Sequence, residues 1–405
     1  MKHLSEVLKI LDGALKSNHS MAANYAGLLA DKLDLSGNRR EATMIRERLA
    51  RTPAALAMAQ SGHAGPSLAT LPVDGESRLH TVDISQPDAK QVRLILPSGI
   101  ESRMKDFLAG VEHHDELVAA GAAMPNRMVI YGPPGTGKTQ TARWIAAQLE
   151  VPMLTVRCDT LISSLLGQTS RNLRRVFEYA QEMPCVLFLD EFDALAGARG
   201  NERDVGELQR VVIALLQNID ALPDSTILLA ATNHDQLLDH AIWRRFSFRI
   251  PMPLPDETLR SALWVQFLGN YAPPDLDTHK LAELCEGASG ALIEQVCLDA
   301  KRSAILSAKP FVEPTELLRR LGLTMALNQG KVLASVEDEV RWLRQWLPKY
   351  FSYRVLAMAY GVSNRQIMNA IKEDNNGNPG DTNKSRQSGQ PVSAHPVPAW
   401  GQVGT

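Results

Sequence analysis

A parallel β-sheet with helices on both faces is the fold class this sequence predicts, and three observations predict it. Between about residues 79 and 251, short apolar runs alternate with helical stretches, as strands joined by crossover helices do. Two of the runs, 185–189 and 227–231, are apolar without a break, which marks strands buried on both sides. A third, 128–131, leads into a glycine-rich turn and then a helix.

The 405 residues allow two or three domains and a sizeable core. Apolar residues make up 44% and charged residues 22%, the profile of a globular protein. A net charge of −2 argues against a chain that mainly coats nucleic acid. No apolar run approaches the roughly 20 residues of a membrane span, and residues 1–17 lack the apolar h-region of a signal peptide. The four cysteines, Cys158, Cys185, Cys285 and Cys297, fit neither a disulfide framework nor zinc spacing. They read as small core residues in a reducing compartment, so the expected location is cytoplasmic.

In chain order, residues 1–51 read as helices, with Leu4, Leu8, Leu11 and Leu15 at helical spacing, a second stretch at 21–33 and a charged third stretch at 39–51. Residues 52–77, rich in Pro, Gly, Ala and Ser, read as a flexible linker. The α/β domain covers 78–253, and a helical lid covers 254–330, with a break at 271–277. Residues 334–373 form a helical module, and 374–405, rich in Asn, Gly, Pro, Ser and Gln, read as a disordered tail.

The chemistry concentrates in three places. In MVIYGPPGTGKTQTARWIAAQL, residues 128–149, a strand runs into Gly132, Pro133, Pro134, Gly135, Thr136, Gly137, Lys138 and Thr139, then a helix. This is the context a P-loop requires, and it makes the sheet that of a P-loop NTPase. The glycines let backbone N–H groups turn towards phosphate oxygens, and the helix N-terminus adds partial positive charge. Lys138 is placed to reach the β- and γ-phosphates of ATP, and Thr139 to hold Mg²⁺. Next, CVLFLDEFDAL delivers Asp190 and Glu191 to the C-terminal edge of a buried strand, 52 positions after Lys138. Asp190 would support the Mg²⁺ shell and Glu191 would orient and deprotonate the attacking water. Third, the strand 227–231 ends at Thr232-Asn233, whose amide could bond the γ-phosphate and the lytic water, and a short helix then ends at Arg244 and Arg245. Adjacent arginines are either a solvated tip or, across an interface, stabilisers of transition-state charge.

In this order, GPPGTGKT, FLDEFDAL, ATN and AIWRRF…RIPMPLPD resemble the AAA clade of AAA+ ATPases over about residues 94–300. The WRRF element is closer to the katanin and spastin branch than to the Arg-Pro-Gly-Arg form of the proteasomal and FtsH branches. The resemblance implies that Asn233 is the sensor 1 residue and that Arg244 and Arg245 are trans-acting arginine fingers. It implies that Gly290 and Ala291, in GASGALIEQV, are the sensor 2 region of the lid. It also implies a homo-oligomeric ring, commonly a hexamer, that remodels or threads protein. Two departures stand out. Leu165 replaces the usual pore-loop aromatic, which reduces the surface for gripping a chain. Asp220-Ala221-Leu222 replaces the interface Asp-Gly-Phe.

In the C-terminal module, Ala357, Gly361, Val362, Ile367 and Ile371 fall at helix-turn-helix spacing, with Ser363 as a cap and Asn364, Arg365, Gln366 and Asn369 facing outward. Six basic against four acidic residues between 334 and 373 is a thin surplus for phosphate contact, so a packing hairpin and a DNA-reading element both stand. Trp342, Trp346 and Tyr350 are expected in its core. The N-terminal helices read as an adaptor on a tether, or as a cap packed on the ring. Two functions compete: an ATP-driven remodeller, with any protease supplied as a separate chain because neither HExxH nor GxSxG occurs here, and a DNA-associated ATPase switch. The intact Lys138, Asp190, Glu191, Asn233 and arginine pair argue against a scaffold that never hydrolyses.

Overall fold

The computed structural model describes residues 3–50, 82–158, 166–196 and 205–372. Leu165, the 52–77 segment and the 374–405 tail therefore lie outside the described residues. In chain order the elements are α1 (Leu4–Leu15), α2 (His19–Leu35), α3 (Arg39–Ala50), β1 (Val82–Ser85), α4 (Ser98–Glu112), α5 (His114–Ala119), β2 (Arg127–Tyr131), α6 (Lys138–Gln148), β3 (Met153–Arg157), α7 (Leu166–Gln181), β4 (Val186–Asp190), α8 (Asp193–Ala196), α9 (Val205–Ala221), β5 (Ile227–Thr232), α10 (His240–Trp243) and β6 (Phe248–Pro251). The lid follows as α11 (Glu257–Leu268), α12 (Thr278–Leu284), α13 (Gly290–Leu306) and α14 (Pro314–Asn328). Last come α15 (Val336–Trp346), α16 (Tyr353–Tyr360) and α17 (Asn364–Lys372).

One six-stranded sheet has the order β1-β3-β4-β5-β2-β6. The four pairings among β2 to β6 are all parallel, whereas β1 joins β3 antiparallel, with Val82 opposite Val156. The expectation of a parallel sheet thus needs one amendment: four residues of β1 follow no crossover helix, so nothing obliges them to run with the rest.

Period-two alternation sends successive residues of each apolar run to opposite faces. Val129, Leu187, Leu189, Leu228 and Ala230 pack under Leu173, Phe177, Leu215 and Ile219 of α7 and α9. Met128, Ile130, Phe188, Leu229 and Ala231 pack under Met104 and Phe107 of α4 and Ile145 of α6. Both faces are covered, which is why the runs carry no polar alternation. Register then sets the site: Tyr131 lies opposite Thr232, so β2 and β5 end together and deliver the residues after them to one edge.

The N-terminal helices form their own small core around Ala30, Leu33 and Ala42. They also dock on the α/β body. Asn18 Nδ2 donates to the Glu182 carboxylate at 3.0 Å, Asn24 Nδ2 donates to the Glu182 carbonyl at 3.3 Å, and the Ser5 N–H donates to Asp115 at 3.2 Å.

A second compact unit begins at Ala326. Its helices α15–α17 enclose Val340, Leu343, Phe351, Leu356 and Ile367. Trp342 belongs to this core, but Trp346 and Tyr350 are half-buried, because α15 ends at Trp346 and the chain turns before Tyr350. Phe351, against which both rings pack, takes the central place. Helices α16 and α17 are joined by a short turn over residues 361–363. Gly361 caps α16 at φ 64°, where a side chain would be strained, and Ser363 accepts from the Gln366 N–H. Asn364, Arg365, Gln366 and Asn369 are exposed. Two of the module's cations are committed internally, Arg341 to the Ala370 carbonyl and Arg344 to the Pro348 and Phe351 carbonyls.

Candidate active site

The loop between β2 and α6 holds three glycines at positive φ: Gly132 at 145°, Gly135 at 74° and Gly137 at 97°. Space as well as torsion demands glycine at two of them. A Cβ on Gly132 would lie 2.2 Å from the Met252 carbonyl oxygen, and one on Gly135 would lie 2.6 Å from Ser289 Oγ. The second contact is where the lid meets the loop. The Ala291 N–H donates to the Gly135 carbonyl at 3.0 Å, so Gly290 and Ala291 stand directly over the phosphate loop. Ser289 caps α13 by accepting from the Leu292 N–H.

Lys138 is buried, and its Nζ donates to the Gly132 and Pro133 carbonyls at 2.8 and 2.7 Å. Burial pulls its pKa below the ordinary 10.5, against the opposing pull of Asp190 and Asp193. An ammonium held in a loop of inward-facing amides needs an anion to complete it, and phosphate supplies one.

Thr139 Oγ1 donates to Asp190 Oδ2 at 3.1 Å, across from the loop. A hydroxyl and a carboxylate this close, on two different elements beside a phosphate cradle, form the hard oxygen donor set that suits Mg²⁺. Mg²⁺ held there would neutralise charge on bridging phosphate oxygens. The other Asp190 oxygen accepts from the Glu191 N–H at 3.0 Å, which anchors the next residue.

Glu191 is exposed to the cavity and sits at φ 51°, a left-handed torsion that a non-glycine residue adopts at a cost of roughly 1–3 kcal/mol. The neighbouring bonds hold it there: the Phe192 N–H donates to the Ala231 carbonyl at 2.9 Å, pinning the turn after β4 to β5. Asp193 then accepts from Thr232 Oγ1 at 2.8 Å and from the Asn233 N–H at 3.2 Å. Asp193 was not singled out from sequence. Nothing local distinguishes it from any helix-starting acid, and its role exists only because β4 and β5 are neighbours.

These groups line a cavity of about 800 Å³. Its lining includes the polar side chains of Lys138, Thr139, Asp190, Glu191 and Asn233 and the apolar ones of Val92, Leu94, Leu96, Leu259 and Leu263. Polar groups for phosphates together with apolar surface for a flat base are what a nucleotide requires. The apolar lining has no sequence signature, since its residues come from a strandless segment and from the lid.

Arg244 and Arg245 do not line this cavity. Arg244 is exposed. Arg245 is half-buried and grips Asp220 with two bonds of 2.7 Å from Nε and Nη2, while Nη1 donates to the Ala241 carbonyl. The two adjacent arginines, equivalent in sequence, are therefore different objects in the fold.

Sheet order, the phosphate loop after β2 and paired acids at the end of β4, with β5 between those two strands, define a P-loop nucleoside triphosphatase. Residues 128–254 match the family model described as "ATPase family associated with various cellular activities (AAA)". An uncharacterized AAA family ATPase of Sinorhizobium fredii is 33% identical over 293 residues, 72% of this chain and 87% of that one. The proteasome-activating nucleotidase of Methanopyrus kandleri is 31% identical over 64% of this chain, which spans 62% of its length. The ATP-dependent zinc metalloprotease FtsH of Corynebacterium glutamicum is 33% identical over 67% of this chain, which spans 34% of its length. The chain belongs to the AAA family of ATPases, and its reaction is the hydrolysis of ATP. Among the described residues, no helix is long and apolar enough to cross a membrane.

Proposed function

We propose that this chain is a Mg²⁺-dependent ATPase that assembles into a homo-oligomeric ring, a hexamer by its family resemblance, and uses hydrolysis to remodel or unfold a protein client. The carrying observation is the division of the catalytic groups. Phosphate loop, paired acids and Asn233 share one cavity, while the exposed Arg244 does not line it. In this reading Gly132 to Thr139 cradle the phosphates, Thr139 and Asp190 hold Mg²⁺, Glu191 activates water, and Asn233 reads the γ-phosphate. Gly290 and Ala291 report the nucleotide to the lid. Arg244, with Arg245 set behind it, completes the site of a neighbouring subunit.

A protein client is supported by two relatives whose names tie them to the proteasome and to ATP-dependent proteolysis. Neither HExxH nor GxSxG occurs in residues 1–405, and any proteolytic step is assigned in this reading to a protease partner. The DNA-switch reading has one supporting observation, the exposed polar face of α17. The internal use of Arg341 and Arg344 leaves it few cations for phosphate.

The test is a Glu191→Gln trap recovered from cells with ATP, together with the concentration dependence of wild-type hydrolysis. A ring remodeller retains a specific protein and gains specific activity as it assembles. Activity per chain that stays flat on dilution into the nanomolar range would refute subunit sharing, and retention of DNA in place of protein would move the job to α16–α17.

A further inference from the structure

The nucleotide cavity holds one carboxylate more than hydrolysis needs. Among the described residues, Asp190, Glu191 and Glu294 line it. The first two stand where Mg²⁺ and the lytic water belong, whereas Glu294 comes from the lid helix α13. A negative charge facing a cavity for a triphosphate repels the ligand, unless it also bonds to a donor that the ligand carries.

Helix geometry fixes where this charge lies. Helix α13 starts on the phosphate loop, where the Ala291 N–H donates to the Gly135 carbonyl. At about 100° and 1.5 Å per residue, Gly290, Glu294 and Lys301 share one face within about 40°, and Glu294 lies about 6 Å along the axis from Gly290. Both ends of that face are anchored. A Cβ on Gly290 would lie 3.5 Å from the Gly135 carbonyl oxygen, and Lys301 Nζ donates to the Phe267 carbonyl of α11 at 2.9 Å. Glu294 therefore stands between the phosphate loop and the end of α11, where Gln266 and Phe267 also line the cavity. It is half-buried, and among the described residues no hydrogen bond or ion pair engages its carboxylate.

The chemistry of a nucleotide supplies the donor. Its phosphates offer acceptors and carry like charge. Its flat base suits the apolar lining of Leu94, Leu96, Leu259 and Leu263. Between phosphates and base lies the ribose, whose adjacent 2′- and 3′-hydroxyls are donors that one carboxylate can accept together. We propose that Glu294 reads the ribose, accepting from both hydroxyls, and so makes the site select nucleotides with an intact sugar diol. Dinucleotide-binding folds use an acidic residue on the ribose in the same chemical way. Glu294 determines specificity and takes no part in the chemical step. Its role needs only the ATP site and is independent of ring assembly and of the client.

The experiment is calorimetric titration of the full chain with ADP and with 2′,3′-dideoxy-ADP in the presence of Mg²⁺, since neither diphosphate is consumed by hydrolysis. Wild-type protein should bind ADP at least about tenfold more tightly, the effect of a charge-assisted hydrogen bond at a half-exposed site. Glu294→Ala should weaken ADP by about the same factor and leave dideoxy-ADP as it was, so that the two bind within about twofold of each other. Glu294→Gln keeps the size and a neutral acceptor, and should show an intermediate preference. An equal loss of both ligands in the variants would make Glu294 a structural residue of the lid and overturn the assignment. No preference in the wild type, or a preference that survives Glu294→Ala, would overturn it as well. If Glu294→Ala instead abolished the preference for ADP over purine riboside diphosphate, which lacks the amino group of adenine, the carboxylate would read the base and the ribose role would fall.

Discussion

If Arg244 works on a neighbour's nucleotide, two inactive variants should rescue each other. Glu191→Gln removes the group that faces the cavity and leaves Arg244 in place. Arg244→Ala leaves the cavity intact, since Arg244 does not line it. Each variant alone lacks one component at every site. In a random one-to-one mixture, a site is complete when its own chain is the Arg244→Ala variant and its donor is the Glu191→Gln variant. Each condition holds for half the chains, so about one quarter of sites recover if they act independently. Loss of a trans arginine lowers turnover by roughly 10³–10⁵-fold, so the mixture should exceed either parent by at least about a hundredfold. The assay is phosphate release after co-dissociation and reassembly with ATP, with mixed assemblies verified by mass. A mixture no more active than its parents, in assemblies shown to be mixed, would refute sharing through Arg244. Substantial activity in Arg244→Ala alone would refute the assignment outright.

The other expectations follow from single contacts. Arg245→Ala should lower thermal stability by about 1 kcal/mol by freeing the half-exposed Asp220, whereas Arg244→Ala should leave it unchanged; equal melting temperatures would refute the distinction. Gly135→Ala must strain the loop or displace Ser289 and the lid, and should weaken binding of a fluorescent ATP analogue by about tenfold, for a cost of roughly 1–2 kcal/mol. Asp193→Asn weakens two bonds that hold Thr232 and Asn233, so kcat should fall roughly tenfold or more while analogue binding holds; a parallel loss of both would make it merely structural. Lys138 binds its proton less tightly in the nucleotide-free fold than in the unfolded chain, so its contribution to stability is unfavourable below the depressed value and is relieved as pH rises from there towards 10.5. Phosphate reverses this, so ATP binding should take up protons at alkaline pH, as read by calorimetry in buffers of different ionisation enthalpy.

Most of the site was legible because its chemistry is local. A phosphate loop needs a strand, glycines, a lysine and a helix in immediate succession, and residues 128–149 supply them without help from the rest of the chain. Asp190, Glu191 and Asn233 were legible for a related reason: each ends a continuously apolar strand, and such strands end at the ligand edge. What escaped was whatever depends on adjacency between distant segments. Asp193 bonds to Thr232 across two strands, Ser289 fills the space left by Gly135, and Asp220 tells Arg245 apart from Arg244. None of these pairings has a spacing rule, because sheet order and helix packing decide them.

Helix α1 shows the same limit from the other side. Periodicity reports that leucines share a face, and they do. It is silent on which way the face turns, because that depends on what the opposite face can bury. In α1 the opposite face buries a carboxylate and an ammonium, each met by a partner on α2. Among the described residues, these leucines stay 37% to 76% exposed, which the packing of the opposite face does not explain. The same holds for Arg244, exposed beside an internally anchored twin. The arginine makes physical sense in the proposed ring, where an exposed cation beside an anchored twin can reach a neighbour's nucleotide.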